Sequence, residues 1–249
     1  MTMSPVDFFI RFTGRQVLLI ARDRQLVFWN FWFFLILLLL FLGALSGGDA
    51  AVRVTLTAAI VTIGIMANAL FSVAVGLTGA RKRGVFRRYS LTPTWPGLLL
   101  GGAVSARALL VFGAASMQIV VAHLVFGVPW SGGMLSWMAV LALGTTAFTA
   151  LGFAIASQAS SPHVANTMAN LLFIPMMALG GTSLPASMMP AAWAAVYWVL
   201  PTATITDGLL GALVGGATVA DNVGRLSYLT AWTVVPAAWA AYRWQRRGP

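Results

Sequence analysis

The residues of this chain best placed for chemistry lie in one short stretch, 80–93, which reads ARKRGVFRRYSLTP. Arg81, Lys82, Arg83, Arg87 and Arg88 are interleaved there with Gly84, Val85, Phe86 and Tyr89. Neither flank shares the charge: 54–79 carries none, and 98–137 carries only Arg107. Helical spacing puts Val85, Phe86 and Tyr89 on one face with Arg83 and Arg87 roughly opposite. Pro93 ends such a helix, because proline cannot continue the hydrogen-bond ladder. The surface suits recognition rather than bond making, with aromatics for a cleft in a soluble partner and cations for its acidic rim. A plainer reading makes the arginines an anchor bound to lipid phosphates, and on charge alone the plainer reading prevails.

Little else in the chain could catalyse. Cysteine is absent, which excludes disulfides, thiolate chemistry and Cys-ligated metal. Glutamate is absent too, and the acids are Asp7, Asp23, Asp49, Asp207 and Asp221, too scattered for paired-carboxylate catalysis or an acidic metal cage.

The elements that position the basic stretch follow from composition. The 249 residues are 59% hydrophobic and 8% charged, with mean hydropathy +0.87. A soluble domain carries roughly a quarter charged residues, so the sequence predicts an all-α integral membrane protein. A net charge of +10 raises nucleic acid as a partner. The cations instead cluster at the edges of apolar runs, and no nucleic-acid partner is expected. Spans of about 20 apolar residues fall at 25–45, 54–79, 106–126, 134–156, 164–184 and 223–242, giving six transmembrane helices. The first of them serves as the insertion signal, since no cleavage site follows a short apolar core.

Residues 5–24 read as an interfacial amphipathic helix. Phe8, Phe9, Phe12, Leu19 and Ile20 share one face for the acyl chains, and Arg11, Arg15 and Arg22 share another for lipid phosphates. Between the last two spans, 185–222 is too broken by Pro185, Pro190 and Pro201 to cross. Its short apolar piece, 191–200, reads as a partly re-entrant helix at the outer leaflet. Thirteen of the fifteen cations fall on one side, leaving only Arg53 and Arg225 opposite. Lys and Arg concentrate inside, so both termini are expected in the cytoplasm, which six spans allow.

Polar residues within spans are costly unless paired. Asn68, and Asn166 with Asn170 one helical turn on, therefore read either as amides bonded across a helix interface or as substrate contacts. Met66, Phe71, Phe148, Met168, Phe173, Met176 and Met177 fit a pliable apolar path, and fit ordinary packing better. His123 and His163 fall at opposite ends of spans and cannot hold one centre. Arg107 is expected to snorkel to phosphate. Trp95, Trp130, Trp137, Trp193, Trp198, Trp239 and Trp244 read as an interfacial aromatic belt.

Two regions resemble the permease subunits of type-two ABC exporters, a six-span family that includes drug, polysaccharide and haem-related exporters. One is Arg81-Lys82-Arg83-Gly84-Val85-Phe86-Arg87-Arg88, then Leu91-Thr92-Pro93 and 98–101. The other runs from Gly180-Gly181 through Leu184-Pro185, Met189-Pro190 and Leu200-Pro201 to Asp207. Lys82 stands where many members have Glu, and Leu210 where Arg often occurs.

The resemblance implies one permease domain over 1–249, in a bacterial inner membrane. It makes Arg81 to Tyr89 the coupling helix, within a cytoplasmic loop at 80–93. Two copies of a separate ATP-binding subunit would dock there, and a second permease subunit would complete a homo- or heterodimer. This chain lacks the Gly-rich Lys-Ser/Thr loop that cradles phosphates, so ATP and Mg are expected on the partner, and this chain is not expected to be an enzyme. Asn68, Phe71, Asn166, Asn170 and Phe173 would line the substrate path. Pro185, Pro190, Pro201 and Asp207 would form an outer gate. The alternatives are an ion- or proton-driven secondary transporter and a non-transporting membrane scaffold. The first normally needs ionisable groups within spans, and almost none are present.

Overall fold

The computed structural model describes residues 4–86, 96–131, 133–182 and 191–247, and among these every regular element is helical. Helix α1, Pro5–Ala21, starts where Ser4 accepts a hydrogen bond from the Asp7 amide at 3.1 Å, with Pro5 in the first turn. Asp23 caps the next helix, α2 (Arg24–Leu45), through the amides of Gln25 and Leu26. Within α2, Phe28–Trp32 is a π-helical turn. Gly47 and Gly48, both at positive φ, turn the chain, and Asp49 caps α3 (Ala50–Lys82) through the Ala51 amide. Then follow α4 (Pro96–Phe126), α5 (Met134–Gln158), α6 (Pro162–Leu179), α7 (Ala191–Val199), α8 (Pro201–Leu213) and α9 (Val223–Arg247).

Four of these, α2 to α5, are long and apolar enough to cross a membrane. Helix α6 falls short in hydropathy because His163, Asn166 and Asn170 dilute it, and α9 because its ends carry arginine. Hydropathy located the four apolar helices to within a few residues at most of their ends, and the departures are local. Helix α3 runs beyond 54–79 at both ends; at 33 residues it is about 50 Å long, against a hydrocarbon core of about 30 Å. Helix α4 starts ten residues before 106, at Pro96. Helix α6 stops at Leu179 rather than 184, where Gly180 and Gly181 (φ +75°) break the ladder.

Helix α3 is the central element. Val54, Ala58, Val61, Ile65, Met66 and Ala69 are buried on it, against Trp137, Leu141 and Phe148 of α5 and Ile205 and Leu209 of α8. The α3–α5 contact is backbone to backbone. A Cβ at Gly152 would stand 2.8 Å from the Leu70 carbonyl oxygen and 3.0 Å from that of Ala69. On the other side of the molecule α1 lies against α4, with the Phe12 ring where a Cβ of Gly102 would be and Phe9 over Gly101. Phe9 and Phe12 thus pack on protein instead of reaching for acyl chains. Val6, Ile10, Leu18 and Leu19 are the apolar side chains that α1 leaves exposed, beside exposed Arg11, Arg15 and Arg22.

The glycine contact gives a sharp test. Gly152→Ala puts a methyl against a carbonyl and should cost about 1–3 kcal/mol, as overpacking does. Gly113→Ala, where a Cβ meets nothing within 4 Å, should not destabilise. Melting temperatures of the two variants in detergent, read by size exclusion after heating, should separate them.

Candidate functional site

The basic stretch begins inside a transmembrane helix. Arg81 and Lys82 are the last residues of α3, Arg83 caps it, and Gly84 turns the chain at φ +69° before helical backbone resumes at Val85 and Phe86. Arg81 therefore does not share a helix with Phe86, contrary to the single coupling helix expected from Arg81 to Tyr89. Arg87, Arg88 and Tyr89 lie outside the described residues. Lys82 and Arg83 are exposed, whereas Arg81, Gly84, Val85 and Phe86 are half-buried.

What half-buries them is the chain itself. The Arg81 guanidinium donates from Nη2 to the Ala159 carbonyl just past α5, and lies 5.3 Å over the Trp244 ring of α9. Phe86 meets the same indole edge-on at 5.3 Å, and Phe153 of α5 flanks it at 5.9 Å. Trp244, read from sequence as one of a belt, is instead the hub of this basic corner. An aromatic so close to a basic tail gives no signal in sequence that would separate the two roles.

The candidates for a substrate path divide. Asn68 is buried and donates from Nδ2 to the Asn30 carbonyl at 3.2 Å, inside the π turn of α2. It bonds across a helix interface, to α2. Asn166 and Asn170 are linked along α6, Asn170 Nδ2 to the Asn166 carbonyl at 3.0 Å, with Asn166 exposed. Phe71 and Phe173 do meet, T-shaped at 5.5 Å, between α3 and α6. Met66 and Phe148 are fully buried, hence packing residues.

Arg107 does not snorkel. Its Nε donates to the Ser72 carbonyl at 3.2 Å and Nη1 to the Ala103 carbonyl at 2.8 Å, with the guanidinium laid across Gly76. It staples α4 to α3. His123 bonds through Nδ1 to the Val128 carbonyl at 2.7 Å and stacks on Trp130, while His163 is exposed. Among the described residues no three His, Cys, Asp or Glu side chains gather as a metal site would require.

Of the residues expected to form an outer gate, Pro185 and Pro190 lie outside the described residues. Pro201 is buried and opens α8, a helix that its own proline and glycines hid in the sequence. Asp207 accepts a hydrogen bond from the Tyr197 hydroxyl of α7 at 2.8 Å. Arg225 donates to Asn222 at 3.0 Å, Asn222 to Ser136 of α5 at 3.2 Å, and Ser136 to the Ala217 carbonyl at 2.6 Å. Tyr228 of α9 donates to the Val199 carbonyl at 2.6 Å. Thr218 donates to Asp221 first from its backbone amide and also from its hydroxyl, holding that exposed carboxyl below its ordinary range. Sequence reasoning found Asp207 but not its partner Tyr197.

These helices, with a basic corner at one end and a hydrogen-bonded cap at the other, define a multi-pass membrane protein. The model of the ABC-2 type transporter family matches residues 8–214, from the first turn of α1 to the end of α8, and the chain belongs to that family. It is accordingly a membrane permease component of an ABC transporter, a kind of protein that works with an ATP-binding subunit. No curated protein matches the chain as a relative.

The amide positions differ in what their loss should do. Asn68→Leu strands the Asn30 carbonyl and should cost about 0.6 kcal/mol, and at most about 1.7. Asn166→Leu, on an exposed face, should leave the stability of the isolated chain unchanged. SDS titration in mild detergent micelles reads both.

Proposed function

We propose that this chain is the substrate-conducting half of an ATP-driven exporter in a bacterial inner membrane. The observation that carries the reading is the exposed pair Lys82 and Arg83, held at the inner end of a 33-residue helix and beside a turn that starts a new helix. A long rigid helix ending in cations for a soluble partner is what a lever needs. Arg81 to Tyr89 then form the coupling region. Lys82 and Arg83 face an acidic rim on the ATP-binding subunit, while Arg81 and Phe86 bind the element to its own chain. ATP and Mg reside on that partner, of which two copies serve two permease subunits.

Six spans are proposed by adding α6 and α9 to the four apolar helices. Helix α6 carries no Asp, Glu, Lys or Arg, and its 18 residues rise about 27 Å. Helix α9 places its arginine-rich end on the same side as Arg81. Both termini are then cytoplasmic, and α1 lies along the inner interface with Arg11, Arg15 and Arg22 toward phosphates.

The second permease subunit, identical or related, is placed against the open face of α6, where Asn166, Thr167, Leu171 and Ile174 are exposed. Cargo passes between the halves along that face, with Asn170, Phe71 and Phe173 behind it. Asn68 supports the path from the adjoining interface, bonded to α2 and out of reach of cargo. The Pro185–Asp207 region, Pro190 and Pro201 included, closes the outer end. Apolar lining favours hydrophobic or amphiphilic cargo.

Purification from its native membrane in mild detergent tests this. The protein should bring an ATP-binding subunit with it in stoichiometric amount. Lys82→Asp with Arg83→Asp should weaken that association roughly tenfold or more. A folded, abundant chain that brings no such subunit would instead favour an ion-driven carrier or a scaffold.

A further inference from the structure

The inner corner and the outer cap share one element, α9. At its inner end Trp244 is gripped on three sides, by the Arg81 guanidinium at 5.3 Å, the Phe86 ring at 5.3 Å and the Phe153 ring at 5.9 Å. Near its outer end Tyr228 bonds the Val199 carbonyl of α7 at 2.6 Å. Just before its first turn Asn222 bonds Ser136 of α5. Trp244 and Tyr228 lie sixteen residues apart on a continuous helix, about 24 Å of axial rise.

A second connection keeps α9 from moving alone. Helix α5, which supplies Phe153 at the inner corner, also supplies Ser136 at the outer cap and Thr146, whose hydroxyl lies 3.3 Å from that of Thr233 on α9. Pro236 interrupts the hydrogen-bond ladder of α9 midway, yet the helix continues through it, supported along α5. A push on Phe86 is therefore delivered to a braced pair of helices.

We propose that Trp244 is a positioning residue that transmits displacement of the inner loop through α9 to the outer helices α7 and α8. The inference rests on the coupling role assigned above to the loop. It adds a route that the family match does not contain, since that match ends at residue 214, before α9 begins. Edge-on and cation–π contacts suit this task. They hold direction as well as distance, and they survive small sliding better than one hydrogen bond would.

The chain has no cysteine, so single reporters are clean. Ala220→Cys places one thiol at an exposed position of the outer turn before α9. The complex with its co-purified ATP-binding subunit is set in lipid nanodiscs. Its labelling by a charged maleimide is then timed with no nucleotide and with ATP plus vanadate. Nucleotide should change the labelling rate in the parent. Trp244→Ala should abolish that change while the ATP-binding subunit stays bound in full amount, and Trp244→Phe should restore it. Phe86→Leu, which removes the edge-on ring from the opposite side, should reproduce the loss and serves if Trp244→Ala does not fold.

An unchanged nucleotide response in a folded Trp244→Ala or Phe86→Leu protein overturns the relay. So does loss of the ATP-binding subunit from Trp244→Ala, which would make the indole part of the docking surface. A parent that binds the subunit but shows no nucleotide response at Ala220→Cys refutes transmission to the outer side alone. A parent that brings no ATP-binding subunit refutes the coupling assignment, and the relay falls with it.

Discussion

Hydrocarbon offers no hydrogen bonds, and the architecture follows from how this chain answers that constraint. A polar group drawn into the helical bundle is costly without a partner there. The partners found are mostly carbonyls, although the hydroxyls of Thr145 and Thr149 and the indole nitrogen of Trp137 find none within the described residues. Thr62, Thr78 and Thr206 each turn a hydroxyl back to the carbonyl four residues earlier. Asn68 of α3 donates to the Asn30 carbonyl within the π turn of α2. Arg107 carries a full charge into the α3–α4 contact, where two carbonyls and the bare backbone at Gly76 receive it. The same rule explains why small residues govern the close contacts. Lipid tails drive no hydrophobic separation between helices, so stability depends on how near two backbones can come. Gly152 on Leu70 and Gly102 under Phe12 are that approach at two places.

This is also why the sequence was legible only in part. Hydropathy distinguishes lipid from water, and it placed the four apolar helices to within a few residues at most of their ends. It cannot distinguish lipid from protein. Phe9 and Phe12 carry the same signal whether they face acyl chains or a glycine pair on α4, and the structure selects the glycines. Residues 96–105, Gly101 and Gly102 among them, fell outside the span expected at 106–126, yet α4 begins at Pro96 and includes them. Those glycines are what let α1 lie against α4. The signal that could have exposed this was mutual, a large ring pair on one helix and a small pair on another, and no single window contains both.

Helix α8 shows the same limit more sharply. Pro201, Gly208 and Gly211 read as interruptions, yet Pro201 is a helix start and Gly208 meets Val140 of α5. Thr206 reaches Thr62 of α3 at 3.2 Å, and Ile205 takes the space that Gly144 leaves on α5. What looks like broken sequence is a contact surface. The outer segment was thus recognisable as unusual, and its prolines and Asp207 as its markers. Its depth in the core was not readable, because burial there depends on residues 60 to 140 positions away.

The basic corner divides its residues by chemistry. Cations and aromatics alternate along the basic stretch, and one set cannot serve both a partner and the bundle. Lys82 and Arg83 keep their charge in solvent, while Phe86 spends its ring on Trp244. A grip made by exposed cations is long in range, tolerant of geometry and screened by salt. A contact made by packed rings is short in range and strict in direction. Under the coupling role proposed above, the division would separate capture of a soluble partner from transmission of its movement. Arg81 stands between the two, carrying a charge yet fixed to the Ala159 carbonyl and the Trp244 face. A lever whose outer surface binds loosely and whose inner surface is locked can accept a partner in several encounters and still deliver force along one line. Arg81 belongs to α3 and Trp244 to α9, so under that proposal the line would enter the bundle through the helix at the centre of the core and through α9 together.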